Sequence, residues 1–218
     1  MLVNRSSDRV LFGVINLDKK GNVMLKKVIL GTLICSSAFA ANQAELNINN
    51  KEVEGQFRYD LSKTGNNLEG AFAGVRILNG DESNSDTISN IDPLFEASFM
   101  VMRPVDGVEG LSLGLGIKAE YTKLDGNNYM AIPFGLEADM KLPVPTPFPF
   151  YVGGALYYAP SVLSFQDGDG YFEGRIHLDA EPIKNGRIEV GYRQIDTDVE
   201  NRNVTYNDAF YFGFRYDF

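Results

Sequence analysis

From Leu111 to the final residue, apolar and polar side chains alternate with period two, which puts successive residues on opposite faces of extended strands. Leu111, Leu113, Leu115, Ile117, Ala119 and Tyr121 share one face, opposed by Ser112, Gly114, Gly116, Lys118, Glu120 and Thr122. The split recurs over residues 130–142, 172–181 and 188–193. It finishes with Phe210, Phe212, Phe214, Tyr216 and Phe218 against Tyr211, Gly213, Arg215 and Asp217. Across these five segments the apolar face has 26 positions and no charge. A chain that is 22% charged would place about six charges there by chance.

Residues 53–60, 68–78, 93–103 and 148–160 alternate less cleanly. Phe72 falls on the polar parity and Glu69 on the apolar one. These nine segments are one short of an even number, which a closed single-chain membrane barrel requires. Residues 45–49, turning at Asn50 and Lys51, supply a tenth. The predicted fold is therefore all-β: a closed antiparallel transmembrane up-and-down barrel of ten strands, with eight as the alternative.

Alternation alone does not distinguish a soluble barrel, apolar face inward, from a membrane barrel, apolar face outward. The polar face decides. It repeats glycine at Gly114, Gly116, Gly135, Gly153, Gly191 and Gly213, which suits a crowded interior, and it interleaves both signs of charge. Lys118, Glu120, Glu137, Asp139, Lys141, Glu173, Arg175, His177, Asp179, Glu181, Glu189, Arg193, Arg215 and Asp217 are expected to form a polar network inside the barrel. Tyr121, Tyr129, Phe148, Phe150, Tyr158, Phe172, Tyr192 and the terminal aromatics are expected in interfacial girdles. Segments near ten residues match a tilted bilayer span. A soluble lipocalin-like barrel is the competing fold.

The front of the chain adds an address. Met24 is followed by Lys26 and Lys27, an apolar stretch from Val28 to Cys35, and the small-x-small end Ala38-Phe39-Ala40. This is the arrangement of a secretory signal peptide over residues 24–40 with cleavage directed by Ala38 and Ala40. Residues 1–23 are expected to lie ahead of the true start, and residues 41–218 to form the barrel. The one cysteine, Cys35, falls in the removed segment, so no disulfide or thiol chemistry is expected. Removing residues 1–40 leaves 14 bases against 27 acids, a net charge of −13. Nucleic acid would repel such a chain, since its affinity comes largely from basic side chains on phosphates.

Little reads as catalysis. His177, the only histidine, stands between Arg175 and Asp179 on the polar face. As an interior structural group it needs no further partner, whereas a hydrolase or acyltransferase would need a nucleophile or acid within reach. Asp167-Gly168-Asp169-Gly170 fails as a calcium loop, because Tyr171 and Leu178 occupy positions that need oxygen ligands. No phosphate loop, zinc spacing or nucleophile elbow occurs, and no cofactor is expected.

The mature chain resembles the YfaZ-like family of outer-membrane proteins over nearly its whole length. The residues that carry this are Ala44-Glu45-Leu46-Asn47-Ile48-Asn49, Tyr158-Ala159-Pro160-Ser161-Val162-Leu163-Ser164-Phe165, the hairpin at Lys184-Asn185-Gly186, and Phe214-Arg215-Tyr216-Asp217-Phe218. The resemblance implies the bacterial outer membrane, reached through the periplasm. It also implies an assembly signal carried by Tyr216 and Phe218 and read by the barrel-assembly machinery. Partners would be that machinery, the export apparatus, outer-membrane lipids and lipopolysaccharide. On family analogy a narrow porin-like channel stands slightly ahead of a structural or surface-interaction barrel, and a lipid-modifying enzyme using His177 is the rival class.

Overall fold

The computed structural model describes residues 43–64, 68–79, 91–199 and 202–218. The expected leader, the signal peptide and its Ala38 and Ala40 lie outside the described residues. Ten strands close into one antiparallel barrel. In chain order the strands are β1 (Gln43–Ile48), β2 (Val53–Asp60), β3 (Ala71–Asn79), β4 (Leu94–Pro104), β5 (Leu111–Leu124), β6 (Asn127–Ala131), β7 (Phe134–Lys141), β8 (Phe150–Ala159), β9 (Ser164–Gln166), β10 (Gly168–Ile183), β11 (Gly186–Val199) and β12 (Arg202–Asp217). The wall runs β4-β3-β2-β1-β12-β11-β10-β8-β7-β5 and closes by pairing β4 with β5. The predicted tenth strand is β1, which joins the two ends of the chain by pairing Gln43 with Asp217 and Ile48 with Phe212.

β6 and β9 extend this wall at the end remote from the termini. β6 pairs with the upper part of β5 and β9 with β6. Residues 130–142, read as one strand, divide at Ile132 and Pro133 because proline has no N–H to give the ladder. The Pro133 carbonyl still accepts from Lys118 N at 2.8 Å, so β6 and β7 follow one line. The β5–β6 hairpin turns in two residues, Asp125 (φ 50°) and Gly126 (φ 85°). Two successive left-handed residues make the turn whose twist matches the flanking strands, and Asp-Gly is a favoured pair for it.

Over its middle, every wall strand turns apolar residues outward and mainly polar ones inward. Ile48, Tyr59, Val75, Phe99, Leu115, Leu136, Leu156, Ile176, Val190 and Phe212, one from each, are exposed on the outside. Glu45, Glu54, Arg76, Glu96, Glu120, Glu173 and Arg193 are buried inside. This is the reverse of a soluble barrel. Interior glycines make room for rings: Tyr211 lies against Gly191, and Tyr157 covers Gly116 and Gly135. Phe72, on the polar parity, does face the bore, while Glu69 is exposed and stands 3.7 Å from Arg103. Tyr129 does not belong to an outer girdle. It is fully buried and donates to the Gly170 carbonyl at 2.6 Å, as its parity opposite Met130 requires.

Candidate functional site

The bore has three levels. At the end bearing the termini is a cavity of about 140 Å³, reached between Gln43, Met102, Asp139 and Arg187 near their strand ends. Above it lies a layer of interlocked charges. Beyond that, at the far end, Leu78, Leu94, Leu124, Tyr129, Ile195, Val199, Val204 and Tyr206 pack into an apolar layer with no more than 1% exposure. Tyr206 ties this layer together, because its hydroxyl meets the Leu78 and Asp92 carbonyls at 3.1 and 3.0 Å. Tyr206 is also the extra residue of a bulge in β12, where Ile195 faces Asn207 and Asp196 faces Thr205. A bulge leaves one residue unpaired and re-aims its side chain. Both Tyr206 and Asn207 thereby end buried.

The charged layer centres on Arg76. It meets Glu173 and Glu96 at 2.5 Å each and Glu120 at 3.4 Å. Lys118 reaches Glu173 at 2.6 Å and Glu96 at 3.2 Å, and lies 3.9 Å over the Tyr157 ring. Glu54 is held by both Arg175 and Arg193 and by Asn47 at 2.8 Å. Nearer the termini, Arg215 joins Glu189 at 2.7 Å and Glu45 at 3.1 Å, and Arg58 joins Glu137 at 3.1 Å. Burying an ion is tolerated only where partners and hydrogen bonds replace its water, and multiple partners per guanidinium meet that condition.

The family comparison can now be set beside this geometry. The model of the YfaZ precursor family matches residues 23–218. The chain belongs to the YfaZ family. No curated protein matches it.

Within this YfaZ barrel, Lys118, Glu120, Glu137, Asp139, Glu173, Arg175, His177, Asp179, Glu189, Arg193 and Arg215 all stand in the bore. The remaining three of the expected network sit at its mouth. Glu181 accepts from the Tyr151 hydroxyl at 2.7 Å, Asp217 accepts from Gln43 at 2.8 Å, and Lys141 is exposed at the end of β7. Tyr216 and Phe218 lie edge to face on the outside with centroids 5.1 Å apart. The sequence reading missed Glu45, Glu54, Arg58, Arg76, Arg187 and Glu96. Only their placement on the inward parity of their strands could have signalled them.

Among the described residues two YfaZ clusters have donor atoms close enough for a metal ion: His177 with Asp179 and Glu189, and Glu96 with Glu120 and Glu173. Basic side chains already pair with both. An ion in the first would displace Arg215 from Glu189, and in the second Arg76 and Lys118. His177 Nδ1 lies 2.8 Å from Asp179 Oδ1, and its ring packs where Gly153 has no side chain.

Proposed function

We propose that this YfaZ protein is an exported outer-membrane barrel that does not conduct, with a vestibule open to the periplasm and a sealed outer end. The observation that carries this reading is the apolar layer around Tyr206, stacked on the Arg76 charge layer. Water and ions crossing the bore would meet first interlocked guanidinium–carboxylate pairs and then packed side chains.

The continuous apolar exterior supports the membrane setting, because monomers in water rarely expose more than a few hundred Å² of contiguous apolar surface. Export fits the arrangement of residues 24–40, with Ala38 and Ala40 directing cleavage, residues 1–23 ahead of the start and residues 41–218 the mature barrel. Tyr216 and Phe218 would carry the signal read by the assembly machinery, which their outward-facing position at the end of β12 supports. The outer belt would contact lipids, including lipopolysaccharide. His177 serves as a part-buried structural group of the cavity wall held by Asp179, since no serine, threonine or cysteine lines the main cavity among the described residues. That favours a non-enzymatic barrel.

Planar-bilayer recordings test the reading directly. The purified barrel, inserted at high loading, is expected to give no conductance steps above background. Stable steps would establish the narrow channel instead. Heat-modifiable migration of detergent-extracted membranes tests the location, and recovery in the soluble periplasmic fraction would overturn it.

A further inference from the structure

We propose that the vestibule at the terminal end is a binding site for a small organic anion with an apolar body. Its lining includes six bases and four acids, with His177 beside them, in a protein whose mature net charge is −13. The arrangement is directional as well as numerical. Arg58, Arg187 and Arg215 keep 20%, 17% and 12% of their side chains accessible, while Asp179 and Glu189, which hold Arg187 and Arg215 from behind, have none. The buried carboxylates thus fix the Arg187 and Arg215 guanidinium groups at the cavity, where Arg187 and Arg58 also meet the partly accessible Asp139 and Glu137. Arg175 contributes a buried Nε with no hydrogen-bond partner.

The opposite wall is different. Phe72 on β3 and Met100 and Met102 on β4 line the same cavity. In the closed order of the wall, β3 and β4 stand across the bore from β10 and β11, which carry Arg175, His177 and Arg187. The β10–β11 side therefore offers planar, fixed donors suited to a carboxylate. On the other side Phe72, Met100 and Met102 give a soft apolar surface for a hydrocarbon or aromatic body, beside Arg76 and Lys118, which are engaged with Glu96 and Glu173. The size is also limiting. A cavity of about 140 Å³ is close to the roughly 150 Å³ engineered void known to take up benzene. An aromatic ring bearing one carboxylate fits, and a sugar nucleotide or a full lipid does not. That this ligand arrives from the periplasm rests on the orientation proposed above, but the site itself does not depend on it.

Calorimetric titration of the purified full-length barrel in detergent, with benzoate as the probe, tests the site. Benzamide and benzylamine serve as the neutral and cationic isosteres. Benzoate is expected to bind at least about tenfold more tightly than either, the ratio expected from one charge-assisted contact. Arg187→Gln should weaken benzoate about tenfold and leave benzamide unchanged. Met102→Glu, on the apolar wall and away from the ion pairs, should abolish benzoate binding and not weaken benzylamine. Heat-modifiable migration confirms that each variant is folded. Equal binding of benzoate and benzamide, or no benzoate binding by the folded wild-type barrel, overturns the proposal. Conductance is read separately, so a channel with a benzoate site sinks only the sealed-barrel reading, and a silent barrel without binding sinks only the site.

Discussion

Arg76 and Glu173 join opposite walls of the barrel through two hydrogen bonds, of 2.5 and 2.9 Å, between residues 97 positions apart in sequence. β3 and β10 are five places apart around a ten-strand ring, so this pair is a strut across the full diameter. Arg76 also faces Glu96 and Glu120, whereas Lys118, beside it, faces Glu96 and Glu173. Arg76→Met is therefore expected to destabilise the barrel by about 3–5 kcal/mol, since it strands buried carboxylates. Lys118→Met should cost less. Adding Glu173→Gln to Arg76→Met should recover part of the loss. Urea unfolding of the refolded barrel in micelles measures all three, and equal effects of the two cation substitutions would remove Arg76 from its central place.

Gly191 lies beneath Tyr211, and a methyl group there would overlap the Tyr211 hydroxyl oxygen and Cζ and stand 2.7 Å from Cε1. Gly191→Ala should cost about 1–3 kcal/mol by pushing the ring off its 2.5 Å contact with Glu189. In a Tyr211→Ser background the same substitution should cost much less. Without that relief in a double-mutant cycle, the glycine is not there to seat the ring.

The Tyr206 hydroxyl bridges two carbonyls of the far end. Tyr206→Phe should cost about 1 kcal/mol and speed amide exchange at the far ends of β3 and β12, with no change at the termini. Uniform acceleration along the strands would mean that the layer is not a local seal.

Phe218 is exposed and makes an edge contact with Tyr216. Deleting it should change the stability of refolded protein by less than about 0.5 kcal/mol while lowering the yield of assembled barrel in cells. Comparing urea midpoints with heat-modifiable migration of cell membranes separates the two effects. A matching loss in both would make Phe218 a packing residue and not a signal.

Much of this fold was legible because one side of the long strands excludes charge over their middle stretches, with charges such as Lys123, Asp196 and Asp208 returning on that side only toward the far end. β12, with five aromatics at one parity, states its register outright. β3 does not, because Ala73, Val75 and Ile77 face out while Phe72 and Leu78 face in, so both parities are apolar and Arg76 looks like an isolated interruption. β1 and β2 are too short, at six and eight residues, for Glu45 and Glu54 to establish a pattern. The bulge at Tyr206 is silent for another reason: alternation assumes a constant register, and an inserted residue breaks it without leaving a mark in composition. Aromatic character misled at Tyr129, where the polarity of its neighbours carried the better information. The candidate cavity was not legible, since it depends on which bases stand in front of which acids.

The hydrogen bond from Gln43 to Asp217 spans 174 positions of sequence, and β1, paired on one side with β2, has no neighbour on its other side until β12 exists. The first strand of the barrel in chain order is thus the last to find both its neighbours. Until then β1 offers only its hairpin with β2, and the edge of β12 remains open. Such distant pairing is slow. An escort that holds this unfinished edge would set the pace of maturation, and a protein missing only its final residues would accumulate as an open sheet.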